Sequence, residues 1–261
     1  MLKYFAVSTA FRLGISIAKM TPTDEVSGLL RQLYPVTTEH ELIRLGCDGD
    51  GGYLVPDDLS GITACFSPGV DNRASFEEAL LAYGMRCHLA DASVERSPLK
   101  SADVTFLKKN IGVVNNEALI TLDRWIDEQE SNDGDLLLQM DIEGAEWPTL
   151  LNISDEKLAR FRVIVLELHD MERLMDKHAF RIISAVMDRL LEKFYVVHNH
   201  PNNYGGLVGV GPIEIPRALE MTLLRRDRGA PTGFATTFPH PLDQTNADDR
   251  ADITLPAGWH K

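Results

Sequence analysis

Three pairs of polar residues in this chain have the type and spacing to do chemistry at the end of a β-sheet. Asp141 and Glu143 follow one apolar run, Glu167 and His169 end a second, and His198 and His200 end a third. Polar side chains at the carboxyl ends of neighbouring strands in an open α/β sheet surround one crevice, so these residues are expected to converge. Residues two apart share a face of an extended strand, which pairs Glu167 with His169 and His198 with His200. Two chemistries suit the cluster. In the first, His169 or His198 is a general base whose tautomer and basicity a neighbouring carboxylate such as Asp141 sets. In the second, Asp141, Glu167 and His198 hold a divalent metal ion such as Mg, which orients two substrate oxygens and lowers a hydroxyl pKa. Structural roles compete with both: Glu167 can pair with a core cation, and His198-Asn199-His200-Pro201-Asn202-Asn203 can be a polar turn.

A second candidate site lies upstream. Cys65-Phe66-Ser67-Pro68-Gly69-Val70-Asp71 joins an apolar run to a helical stretch carrying Phe76, Ala79 and Leu80, the position at which open α/β sheets bind nucleotides. A glycine there lets backbone approach a ligand, and an acid at the end of the next strand accepts hydrogen bonds from ribose hydroxyls. Asp91 follows Gly69 by 22 residues, the separation such an acid needs. The loop lacks G-x-G-x-x-G, which weighs against a nicotinamide dinucleotide because a pyrophosphate requires close backbone contact and a free helix N-terminus. Asp48-Gly49-Asp50-Gly51-Gly52-Tyr53 has the composition of an adaptable loop; it lacks the later glutamate of a calcium-binding EF-hand.

The elements that must position these groups read as a mostly parallel sheet with helices on its faces. Strands are expected at 62–66, 86–90, 104–106, 135–141, 162–169 and 194–198, with helices over 75–83, 121–128, 147–152 and 171–193. After His200, segments 211–215 and 218–224 are expected to form a terminal strand pair or hairpin at the sheet edge. Ahead of the sheet lies a helical preface: a helix over 22–33, and Thr38 with Glu41 at capping-box spacing, opening another turn. The chain divides as 1–43 (helical extension), 44–226 (catalytic domain) and 227–261, a polar tail rich in Pro, Gly and Asp that Phe234, Phe238 and Trp259 can anchor.

A formal net charge of −13 makes the average surface repel phosphodiester backbones, so a nucleic-acid partner is not expected. Three cysteines, Cys47, Cys65 and Cys87, suggest neither a disulfide framework nor a zinc knuckle and fit a reducing cytoplasm. Lys3, Arg12 and Lys19 interrupt the apolar first twenty residues, which excludes a membrane span there. Leu2, Phe5, Ala6, Leu13, Ile17 and Met20 recur at near-helical spacing, suiting an amphipathic helix that packs on protein, with a partner subunit or membrane surface as the other candidates.

Longer motifs make the pattern specific. Arg44-Leu45-Gly46-Cys47-Asp48-Gly49-Asp50-Gly51-Gly52-Tyr53-Leu54-Val55-Pro56, Ser75-Phe76-Glu77, Thr121-Leu122-Asp123 and Met140-Asp141-Ile142-Glu143-Gly144-Ala145-Glu146-Trp147 together resemble the FkbM-type methyltransferase family, in its branch with a D-G-G-Y segment, over residues 44–226. The resemblance implies the class I Rossmann-like fold, whose seven-stranded sheet ends in an antiparallel C-terminal β-hairpin. It also implies S-adenosylmethionine as cofactor and, in many relatives, O-methyl transfer to sugars, glycans or natural products. Carried onto this chain, Gly69, Phe66 and Ser67 line the methionine side, Asp91 holds the ribose, Asp141 and Glu143 close the site, and Glu77 positions the loop. Asp50 and Tyr53 fall near the cofactor. An NAD-dependent oxidoreductase and a non-catalytic cofactor-binding scaffold are the alternatives; cofactor turnover separates the latter. A glycosyltransferase reading of Asp141-Ile142-Glu143 fits the longer motif less well.

Overall fold

The computed structural model describes residues 11–12 and 18–261. Its central sheet has seven strands: β1 (Ala64–Pro68), β2 (Arg86–Ala90), β3 (Val104–Leu107), β4 (Leu136–Met140), β5 (Phe161–Leu168), β6 (Phe194–Pro201) and β7 (Leu219–Arg225). They lie in the order β3-β2-β1-β4-β5-β7-β6. All neighbours pair in parallel except β7, which is antiparallel to both β5 and β6. The order reverses between β1 and β4, and the crevice at such a switch point is where an α/β sheet binds ligands.

Near-continuous apolar runs let both faces of the sheet be buried. Helices α1 (Thr23–Gln32), α2 (Ser75–Leu81), α3 (Leu122–Gln129), α4 (Glu146–Asn152), α5 (Asp155–Leu158) and α6 (Lys177–Lys193) follow in chain order. On one face Phe66, Leu138, Ile164 and Leu166 pack with Leu30 of α1, Trp125 of α3, Leu150 of α4 and Ile183 of α6. On the other, Cys65, Leu137 and Val165 pack with Phe76 and Leu80 of α2 and with Tyr53 and Val55 of a two-stranded ribbon, Leu42–Leu45 against Tyr53–Pro56.

That ribbon replaces the turn expected after Thr38: the backbone of residues 42–45 pairs with 53–56, and Thr38 Oγ1 instead accepts from His40 N at 3.2 Å. The long helix expected from Met171 starts later. Asp176, in extended conformation, accepts from His178 N and Ala179 N and caps α6, leaving Met171–Met175 as a separate 3-10 turn. The terminal antiparallel pair is also composed differently from the expectation. It joins β6 to β7, β7 lies inside the sheet rather than at its edge, and Ile213–Pro216 pairs with Leu207–Val210 in a small ribbon within the connection.

The tail is irregular but closely held. Arg228 forks onto the Asp58 carboxylate at 2.7 and 2.8 Å, Gly233–Phe234 pairs with Val36–Thr37, and Trp259 is fully buried in the same core as Leu30 of α1, donating to Glu214 O at 2.9 Å. Phe238 packs against that core too, whereas Phe234 stays exposed. Leu2, Phe5, Ala6, Leu13 and Ile17 of the amphipathic stripe lie outside the described residues; Met20 is exposed. Among the described residues, no helix is long and apolar enough to cross a membrane.

Candidate functional site

The loops after β1 and β4 touch. Gly69, at φ 89°, lies so near the next loop that an added Cβ would sit 1.5 Å from the carbonyl oxygen of Asp141, and Asp141 N donates to Pro68 O at 3.2 Å. Packing against Asp141, rather than approach of a ligand, is therefore what requires glycine here. Among the described residues, three non-glycine residues adopt the left-handed conformation, Asp71, Glu143 and Asp170, and they follow β1, β4 and β5 around the same crevice. Such backbone outliers concentrate at functional sites.

Beneath the loop after β4, the carboxylate of Glu146 is completely buried. It accepts from Ile142 N at 2.9 Å and Gly144 N at 3.0 Å, closing the turn, and contacts His169 Nδ1 at 3.3 Å. Trp147 Nε1 donates to His169 O at 2.9 Å, fixing that residue from the other side. With Nδ1 turned to Glu146, His169 Nε2 faces Glu143 at 3.5 Å, Glu167 at 3.8 Å and Asp141 at 3.9 Å.

This arrangement perturbs His169, Asp141 and Glu167. Burial lowers the pKa of His169, but the hydrogen bond to Glu146 and the surrounding carboxylates outweigh it and raise the group to about 9. Burial and the Glu167 charge push Asp141 up to about 8. Burial and Glu220, its register partner on β7, push Glu167 up to about 7. The groups titrate together, and at neutral pH the cluster holds more protons than separate residues would.

Two clefts open on either side of Asp141. One, about 630 Å³, runs over the ends of β1, β2 and β4 and is walled by Asp91, Asn110 and the apolar Ala90, Ile111, Leu119 and Ile142. Asp91 accepts from Asp71 N at 2.9 Å through one oxygen and from Ser93 N at 2.7 Å through the other. A carboxylate oxygen has two acceptor positions, so each keeps one for a ligand hydroxyl. The other cleft, about 460 Å³, is walled by Glu167, His169, Asn202, Tyr204, Arg217 and Asn246. Asp50, Asp141 and Glu143 line both.

Not every residue expected at the site is there. Phe66 points into the opposite core, edge-on to Trp125, because alternation along β1 turns it away from the α2 face. Ser67 is buried beneath the floor, with Glu77 at 2.5 Å and Gln139 at 2.7 Å; burial raises the Glu77 carboxyl. Tyr53 accepts from Gln139 Nε2 at 3.2 Å, and Tyr53, Gln139 and Glu77 line a smaller recess of about 200 Å³ beside Asp50. His198 and His200 share a face as expected, with rings stacked 6.4 Å apart, but His198 does not join Asp141 and Glu167. Its Nε2 lies 2.9 Å from Asp243 of the tail. A bulge in β6 between Val196 and His198 accompanies this placement. The site also holds Glu146, which lies within the quoted motif, and Asn202, Tyr204, Arg217 and Asn246, which follow no spacing rule. A lone glutamine, Gln139, inside the apolar β4 run was a readable signal.

A seven-stranded sheet of this order, with an acid at the end of its second strand and a polar crevice at its switch point, is a Rossmann-like fold. The methyltransferase FkbM domain matches residues 40–194, more than half of the chain, and the protein belongs to that family of methyltransferases. No curated protein matches the chain. Every residue of the 630 Å³ cleft falls inside the matched span, whereas Asn202, Tyr204, Arg217 and Asn246 of the other cleft fall beyond it.

Proposed function

We propose that the protein transfers the methyl group of S-adenosylmethionine to a hydroxyl of a sugar, glycan or natural product. One observation carries the reading: the larger cleft, built wholly from the family-matched span, presents five carboxylates (Asp50, Asp71, Asp91, Asp141, Glu143) and no Lys or Arg among its lining residues. A pyrophosphate is repelled by such a wall, which argues against a nicotinamide dinucleotide, whereas a sulfonium and an ammonium are attracted. The residues fit the cofactor: Asp91 has free acceptor positions for ribose hydroxyls, the apolar strip of Ile111, Leu119 and Ile142 suits a flat base, and the carboxyl groups of Asp50 and Asp141 on the same wall suit a cationic ligand.

When bound, S-adenosylmethionine supplies an electrophilic methyl group. The chain aligns the acceptor and accepts a proton. The second cleft meets the first at Asp141, so a hydroxyl held there by Asn202 or Asn246 lies beside that carboxylate. His169 is held protonated through Glu146, which leaves Asp141, raised to about 8, as the group that in its ionised form would take the proton of the acceptor hydroxyl.

A divalent ion is the second reading, favoured by one feature. Asp141, Glu167 and His169 place ligand atoms within 4.8 Å of one another, with His169 Nδ1 engaged by Glu146 in the manner of a carboxylate that orients a ligating imidazole. His169 takes the position first expected of His198. An ion there would displace the proton from Nε2 and acidify the acceptor hydroxyl.

Calorimetric titration with S-adenosylmethionine, S-adenosylhomocysteine and NAD, each with and without Mg, tests both readings. Selective binding of the first two is expected, and selective binding of NAD would overturn the assignment. Mg binding lost in Asp141→Asn supports the ion; no heat with Mg removes it.

A further inference from the structure

His198 and His200 end β6 at the edge of the crevice, yet both rings turn onto the tail. Asp243, almost wholly buried, lies 2.9 Å from His198 Nε2 and 3.1 Å from His200 Nδ1; Asp252 lies 3.2 Å from His200 Nε2. Between these two aspartates the chain is fixed to the cleft wall. Asn203 Oδ1 accepts from Ala247 N at 2.8 Å while its Nδ2 donates to Ala247 O at 2.9 Å. Arg250 donates to Tyr204 O at 2.6 Å and lies over the Tyr204 ring at 4.7 Å. Asn246 donates to Glu220 at 2.6 Å and itself lines the 460 Å³ cleft beside Asn202 and Tyr204.

We propose that residues 243–252 form a strap that is one wall of the acceptor cleft, and that His198 and His200 are positioning residues which hold it there through Asp243 and so help decide which acceptor fits. The assignment rests on reading that cleft as the acceptor side. The strap and its anchors lie beyond the family-matched residues 40–194, where an element peculiar to this chain's substrate is expected. The groups facing the two rings are Asp243 and Asp252 from the strap, His240 from the tail and Glu220 from β7. Burial lowers the His200 pKa, but Asp243 outweighs it and raises the group; burial raises the Asp243 pKa, but the two histidines outweigh it and hold Asp243 well below the usual carboxylate range. By linkage the contribution of His200 is present below the ordinary imidazole range and is lost as pH rises through its raised value, while that of Asp243 is lost only in strong acid.

Amide hydrogen exchange of the full chain, expressed as protection factors so that the intrinsic pH dependence cancels, reads the strap directly. In Asp243→Asn and in His200→Asn, protection over residues 244–252 is expected to fall at least tenfold while that of β4 and β5 holds. In the wild type it should decline as pH rises past the histidine range, a decline absent from His200→Asn. The Kd of S-adenosylhomocysteine should move less than twofold in both variants. With a panel of glycosides as acceptors, Asn246→Ala should change the ratio of transfer rates between panel members at least fivefold. Unchanged strap protection in both histidine-network variants overturns the anchoring, and unchanged rate ratios in Asn246→Ala overturn the wall. Failure of the wild type to bind S-adenosylhomocysteine refutes the methyl-transfer reading instead, and the exchange data still judge the anchor.

Discussion

Glu146→Gln is the sharpest probe of the site, because the substitution preserves shape and removes one acceptor and one charge. Glu146 Oε1 can be replaced by the amide oxygen, which keeps the contacts to Ile142 N and His169 Nδ1. The amide nitrogen then meets Gly144 N at the position where Oε2 accepts at 3.0 Å; Gly144 N keeps only its longer 3.3 Å contact to Oε1, and the new amide donor of the buried side chain faces another donor. Stranding a buried donor costs about 1–3 kcal/mol. His169 loses its nearest negative partner; Asp141 and Glu167 still raise it, so only part of its elevation, worth about 1–2 kcal/mol, disappears. The total is about 2–5 kcal/mol, read as a lower urea midpoint at unchanged slope. Its pH dependence has a definite sign. A group raised above its ordinary value near 6.5 contributes fully below that value and loses its contribution as pH rises through about 9, so the stability difference between wild type and variant should be larger at pH 6 than at pH 10. A loss under about 1 kcal/mol, or a difference that grows with pH, would refute the placement of a protonated His169 on Glu146.

Other outcomes follow from the same geometry. Asp91→Asn leaves one oxygen to the backbone but removes the charge proposed to meet a ribose hydroxyl, so the Kd of S-adenosylhomocysteine should rise about 10- to 100-fold by calorimetry, as loss of a charged hydrogen bond requires. Gly69→Ala forces a Cβ into the Asp141 carbonyl at positive φ and should cost about 3–5 kcal/mol or prevent folding; an unshifted thermal midpoint would contradict the loop contact. With an acceptor in hand, kcat/KM should rise with pH toward about 8 as Asp141 ionises, and Asp141→Asn should lower the rate about 10²- to 10⁴-fold while flattening that profile.

How far the sequence reached depended on the range of the forces involved. Strand β2 was read with its true limits and β4 to within a residue at each end, because apolar runs bounded by turns are local signals. Asp141, Glu167 and His169 were brought together by the rule that parallel strands present their carboxyl ends to one crevice. What escaped depended on distant partners. The 42–45 ribbon exists because 53–56 pairs with it, which overrode a capping-box spacing at Thr38. The place of His198 is not legible in the sequence because its partner, Asp243, is 45 residues downstream in a tail without periodicity. Motif position points Phe66 at the ligand, but alternation along β1 sends it to the other face.

The left-handed residues Asp71, Glu143 and Asp170 carry a consequence for how this protein can change. Each holds a side chain where glycine would be more comfortable, so replacement by glycine relieves local strain while loosening the rim of the crevice. Variants selected only for heat resistance are free to accumulate such changes. Variants selected for turnover are not, and the three positions therefore separate selection for endurance from selection for catalysis.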